Sequence, residues 1–336
     1  MAAFEHTGPG TPVVESIRVD KVSPRARLLR YIRAAIAIVF AVIALIPVYW
    51  MATTAFKSYP DAVAIPPKIV FDPTLEGFVN LLTDRRELSV DEVRAFEANP
   101  ESRCANVDFA ECVARGRGQT ITGPSQYVQR LTNSVIIAGG STILSVAFGL
   151  LSAYSFSRFR IPGAGDMLFF ILSTRMLPPV VVTIPIFLMY RSLGLHDTHL
   201  GLIILYTVFN LSFSVWLLKG FLDEIPREYE EAALVDGYSR LQAFRKVVLP
   251  QALTGIAATT VFCLIFAWNE YAFALLLTSD RARTAPPAIP SVLGRGVVEW
   301  NTIAAGSLGF LIPVVIITFA LRKYLLRGVT FGAIRK

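Results

Sequence analysis

The chain has 336 residues, of which 54% are hydrophobic and only 17% charged, with a mean hydropathy of +0.53. Soluble domains carry roughly 25% charged residues, so a water-soluble globule is excluded and a helical protein crossing a membrane several times is expected. The net charge of +7 does not point to nucleic acid, because no basic stretch is interleaved with stacking aromatics; in a membrane chain such an excess marks the cytoplasmic side.

Residues 1–30 lack apolar periodicity and read as a cytoplasmic N-terminal tail. Residues 31–55 form the first span, preceded by Arg25, Arg27 and Arg30. A cleaved signal peptide is the competing reading. The length of the apolar run and Trp50 at its end favour a retained span whose N-terminus lies inside. Residues 56–130 are hydrophilic and form an extracytoplasmic segment, turn-rich at first through Pro60, Pro66, Pro67 and Pro73. Within it, 84–118 reads as an inserted helical pair. Ser89 and Glu92 are spaced as a capping box, Leu88 and Val93 as a hydrophobic staple, and the first helix ends near Asn99-Pro100. Cys104 and Cys112 follow on the oxidising side, where a disulfide and two free thiols are both compatible with the sequence. Cys263, inside an apolar span, is expected to be a small packing residue.

Residues 131–325 form a core of five further spans, near 131–156, 166–190, 199–221, 251–278 and 302–325, followed by a cytoplasmic tail, 326–336. Arg158 and Arg160, the basic residues of the 222–250 loop and those of the tail then all fall inside, as the positive-inside rule requires. The expected fold is all-α with six transmembrane helices and both termini in the cytoplasm. Gly139, Gly140, Ser141, Ser145, Gly149, Ser152 and Ala153 make the second span a close-packing helix, with gate lining as the alternative. Pro178, Pro179 and Pro185 interrupt the third span, either as a static kink or as a bend around a path. Glu270 of Trp268-Asn269-Glu270 fits a path-lining carboxylate or a buried hydrogen bond. Asn269 beside it is a further candidate, and Asn210 and Asn133 are lesser polar residues of the same kind.

The polar loop 222–250 interrupts this apolar core, and its second part, 228–250, is a helix–glycine–helix elbow. Glu228, Glu230 and Glu231 lie at the positive end of a short helix, Gly237 supplies a left-handed stop, and Ser239 can cap a second helix bearing Arg240, Arg245 and Lys246. Pro250 marks entry into the next apolar segment. No phosphate-binding G-x-x-x-x-G-K-[ST] loop, HExxH or G-x-S-x-G elbow is present, so no catalytic or metal-ligating residue is assigned. His196-Asp197-Thr198-His199 lacks a third strong ligand and reads as a polar turn.

Glu231-Ala232-Ala233, Gly237 and Val247-x-Leu249-Pro250 resemble the EAA-x3-G-x9-I-x-LP signature of ABC-importer permeases, with valine in place of isoleucine. Asn133-Ser134, Ala153–Phe159, Trp268–Tyr271 and the tail Arg327–Lys336 resemble the second permease of the maltose-type, carbohydrate-importing branch. The likeness covers roughly 30–83 and 119–336; the tail lacks a terminal glycine often seen there, and Thr254-Gly255 stand where a proline is usual. The resemblance implies a type I ABC importer permease in a bacterial or archaeal inner membrane, half of the pore for an oligosaccharide, disaccharide or polyol. It implies that Glu230, Glu231, Ala232, Ala233, Asp236, Gly237, Leu249 and Pro250 couple to a separate ATPase dimer, which binds ATP and Mg, while this chain binds no cofactor. A second homologous permease, an extracytoplasmic solute-binding protein reached by the 279–301 loop, and membrane lipid are the other implied partners. An ion-coupled secondary transporter and a permease for a non-sugar solute are the alternatives; the former lacks a clear ion site or inverted repeat.

Overall fold

The computed structural model describes residues 24–290 and 298–331. The first part of the N-terminal tail, residues 291–297 of the fifth-to-sixth-span connection and the last five residues lie outside the described residues. The chain divides into two units, Met1–Trp50 and Met51–Lys336. Helix α1, Pro24–Ala55, begins in the first and is apolar enough to cross a bilayer.

In the second unit, α2 (Tyr59–Ala62) and α3 (Glu76–Leu82) lead into strand β1 (Thr83–Glu87), α4 (Val90–Ala98), α5 (Phe109–Gly116) and strand β2 (Gln119–Pro124). The strands pair antiparallel, with Thr83 opposite Pro124 and an irregularity between Asp84 and Arg85. The 84–118 insertion is therefore a helical pair mounted on a two-stranded ribbon, a local addition to a mostly helical chain. Thr-Asp-Arg-Arg-Glu carries no apolar alternation, so the period-two signal of a strand is missing from it. Ser89 and Glu92 do form a reciprocal capping box at the start of α4. Cys104 and Cys112 are joined in a disulfide. Glu111 fastens α5 to β2 by accepting from Arg115 Nε at 2.9 Å, Thr120 Oγ1 at 2.6 Å and the Ile121 N–H at 2.9 Å.

The helical core comprises α6 (Tyr127–Arg158), α7 (Ala164–Ser173), α8 (Pro179–Ser192), α9 (His199–Asp223), α10 (Glu228–Val235), α11 (Arg240–Gln251), α12 (Leu253–Trp268), α13 (Ala272–Leu277), α14 (Ala285–Ala288) and α15 (Trp300–Phe331). Among the described residues four helices, α1, α6, α9 and α15, are individually long and apolar enough to span. Two bent pairs, α7 with α8 at 90° and α11 with α12 at 73°, bring the total to six if each pair is one span. The break before α8 has a local cause. Pro178 and Pro179 have no N–H to donate, and Leu177 before them is held extended at ψ 125°.

Small residues set the α6–α9 seam: Ser141, Ser145, Gly149 and Ala153 are buried at four-residue spacing, and the Ser145 hydroxyl donates to the Thr207 carbonyl at 3.2 Å. One apolar cluster, including Ile137, Tyr190, Tyr206, Trp268 and Phe273, joins α6, α8, α9, α12 and α13. A second, including Ala153, Leu218, Leu222, Ile225, Phe244 and Val248, gathers the C-terminal ends of α6 and α9 under α11. These two clusters fix the two ends of the core, each with its own polar assembly.

Candidate coupling site

The 228–250 elbow forms as its residues dictate. The Tyr238 N–H donates to the Ala233 carbonyl and the Gly237 N–H to Leu234, at 3.0 and 3.1 Å, so α10 ends in a Schellman motif. Gly237 holds φ +89°, a conformation open to glycine at no steric cost. Ser239 then begins α11 in a capping box with Gln242. A π-turn, Phe244–Val248, precedes Leu249-Pro250. Such a turn leaves the backbone tolerant of the missing proline N–H.

An eight-residue helix between two spans must bury one stripe, and here that stripe contains Glu230 and Ala233. Of the expected coupling residues, Glu230 and Ala233 are thus turned into the chain, while Glu231, Ala232, Asp236 and Gly237 are exposed. The Glu230 carboxylate receives Arg158 Nε at 3.0 Å and the Tyr154 hydroxyl, both from the last turns of α6. Arg158 also donates to the Ile225 carbonyl at 3.0 Å, and Arg227 reaches back to the Ser157 carbonyl at 2.6 Å. The Tyr154 ring lies against Phe244 at 4.6 Å. Leu249 is half-buried in the apolar cluster below, while Pro250 is exposed.

Gly255 marks a second close approach. A Cβ there would stand 2.5 Å from the Phe221 ring, so the end of α9 meets the start of α12 where a proline is usual in the resembled family.

Glu231, Ala232, Val235, Asp236 and Tyr238 are exposed, and Val235 is 88% accessible. Tyr229 and Leu241 are exposed as well, so the elbow presents both apolar side chains and carboxylates outward, with Arg245 and Lys246 exposed further along. An outward face of this kind on a buried, ion-paired base is suited to receive another protein and pass its displacement to α6, α9 and α12.

The residues put forward for a path are taken up within the chain. Glu270 accepts from the Phe273 and Ala274 N–H groups at 2.9 and 3.0 Å and from the Tyr206 hydroxyl at 2.6 Å. It caps α13 at the break in the fifth apolar segment, which runs as α12 and α13 and not as one helix. Asn210 is buried and donates to the Cys263 carbonyl at 3.2 Å. Asn269 is exposed and closes α12 on Ile265 at 2.8 Å.

At the opposite end of α6, the sequence concealed two assemblies. Asp197, at φ 55°, accepts from four successive N–H groups, Ser279 through Ala282, at 3.0 to 3.3 Å. Burial opposes its ionisation, but these donors outweigh it and hold the carboxyl below its ordinary value. Asn133 donates to the Arg281 and Arg283 carbonyls at 3.1 and 2.9 Å and shares a 2.8 Å bond with His199. Glu299 binds Arg85 at 3.1 Å and Arg117 at 2.9 Å, and Arg117 also meets Glu76 at 3.3 Å, fixing the ribbon to the start of α15. Among the described residues, no group of three His, Cys, Asp or Glu side chains is arranged to hold a metal.

Residues 145–331, more than half of the chain, match the family of binding-protein-dependent transport system inner membrane components. The chain is 31% identical to a probable ABC transporter permease, y4oR, of Sinorhizobium fredii, over 88% of its length and 92% of the relative's. It is 30% identical to the trehalose/maltose transport system permease MalG of Thermococcus litoralis, over 89% and 94%. A chain of a bacterial ABC transporter that imports the acidic polysaccharide alginate shares the fold, with a TM-score of 0.63 at 21% identity over 90% and 98%. The chain belongs to this family of inner-membrane ABC importer permeases, the non-catalytic membrane subunits of their transport complexes.

Proposed function

We propose that the chain is one half of the translocation pore of an ATP-driven importer for a sugar or polyol, with six spans and both termini in the cytoplasm. The carrying observation is the two-sided build of 228–250: an exposed face at Glu231–Tyr238 above a base ion-paired to α6 through Glu230. A separate ATPase dimer, holding ATP and Mg, docks on that face. The named substrates of relatives such as the trehalose/maltose permease support a carbohydrate solute. A second homologous permease completes the pore, and an extracytoplasmic binding protein delivers solute to the end where Asp197 and Asn133 hold residues 279–283.

The test is reconstitution of the chain with its co-purifying partners in lipid. Ligand-loaded binding protein should stimulate ATP hydrolysis several-fold. Transport by the lone chain on an ion gradient without ATP would overturn the reading.

A further inference from the structure

Arg175 has a place in the fold that the coupling site does not use. It lies on the turn Thr174–Met176, at the 90° break between α7 and α8. Its Nη1 donates to the Phe209 carbonyl at 3.2 Å, and its guanidinium stands 4.2 Å from the Phe266 ring centroid and 5.2 Å from Phe213. Among the described residues no carboxylate lies within ion-pair distance of it. The group is half-buried, and Thr174, Met176 and Phe266 beside it are exposed.

If α7 and α8 are one span, as in the six-span function proposed above, this is an unpaired cation at mid-depth. A half-open guanidinium does not face lipid, because charge in hydrocarbon is costly and such groups face protein or water. Broken backbone at that depth is likewise tolerated where it is buried in protein or lines a water-filled cavity. Asn210, next to Phe209, is itself buried and gives an amide N–H to the Cys263 carbonyl, which leaves Arg175 as the half-open polar group here. We propose that Arg175, framed by Phe213 and Phe266, lines the water-filled solute path midway through the membrane. Its unspent N–H groups are offered to hydroxyl or carboxylate oxygens of the passing solute, and the two rings hold the cation without neutralising it.

The experiment uses the complete transporter in proteoliposomes. Arg175→Cys is placed in a Cys263→Ala background, where Cys104 and Cys112 are already bonded to each other. The probe is the membrane-impermeant cation methanethiosulfonate-ethyltrimethylammonium, applied in the nucleotide-free and ATP–vanadate-trapped states. Reaction in at least one state is expected, at ten or more times the rate of Ile184→Cys on α8. Where Arg175→Cys does not assemble, Met176→Cys, which keeps the arginine, takes its place. No reaction in either state, in a complex whose ATP hydrolysis still responds to binding protein, would overturn the inference and place Arg175 against lipid or the second subunit. Loss of the ATPase response in the unmutated complex would instead count against the proposed function.

Discussion

Arg158 and Glu230, 72 residues apart, form an ion pair at 3.0 Å with only 5% and 7% of their side chains exposed. The pair locks the short helix of the coupling elbow to the end of α6, a helix that does not flank it in sequence. A push on the outward face of α10 therefore reaches α6 directly, as well as α9 and α12 through the chain. Removing one partner of such a buried pair costs about 3–5 kcal/mol because the other is left unpaired. Glu230→Gln should thus loosen the elbow and lower transport while leaving some ATP hydrolysis. The charge swap Arg158→Glu with Glu230→Arg should recover part of the loss. Transport and ATPase rates measured together on the three proteins check both outcomes.

Gly237 tests the turn separately from the docking face. At φ +89° with open space around it, any side chain fits sterically but strains the backbone by about 1–3 kcal/mol. Gly237→Asn, which tolerates left-handed geometry better than most residues, should retain most ATPase association. Gly237→Val should lose it. Co-purification of the ATPase subunit with each variant is the readout.

At the other end, Asp197 should govern protection of residues 279–282. Asp197→Asn keeps the left-handed backbone but loses the charge and half of the acceptor capacity for four N–H groups. Amide exchange at 279–282 should accelerate at least tenfold, with α9 unchanged. The same carboxyl gives a pH dependence. Its folded pKa is depressed, so its contribution is present in full above the ordinary aspartate range near 4 and is lost as pH falls through the folded value. The stability difference between wild type and Asp197→Asn should therefore shrink on acidification below about pH 4, as thermal unfolding in detergent would show.

Glu299 binds the ribbon by two arginines, and burial, which opposes its ionisation, is outweighed by Arg85, Thr302 and Arg117. Glu299→Gln should free the insertion at its base. Limited proteolysis between residues 88 and 118 should then become several-fold faster, with the Cys104–Cys112 bond intact.

The coupling elbow is legible in the sequence because its signals are local: a glycine stop, a serine able to cap the next helix, and carboxylates in a first turn. The direction each side chain faces is not. Glu230 and Glu231 are adjacent and chemically alike, and only the position of Arg158 and Tyr154 decides that Glu230 turns inward. The ribbon is not legible because β1 is written in charged residues and its partner β2, short and ending in Gly-Pro, lies across the whole insertion. The broken third span was anticipated at Pro178-Pro179, but its 90° angle depends on packing. Asp197 looks in the sequence like part of a polar turn, since the four N–H groups it serves lie more than eighty residues away. Arg175 sits in an apolar run where no neighbour in sequence marks it.

In the proposed function the ATPase docks on the exposed face of α10. A photo-crosslinking amino acid placed at Val235, 88% exposed, measures this directly against the same group at Glu228, exposed one turn outside the motif. Val235 should capture the ATPase subunit in high yield, and capture should fall in the Gly237→Val background. Capture of lipid or of nothing at Val235, in a complex that still hydrolyses ATP in response to binding protein, would contradict it.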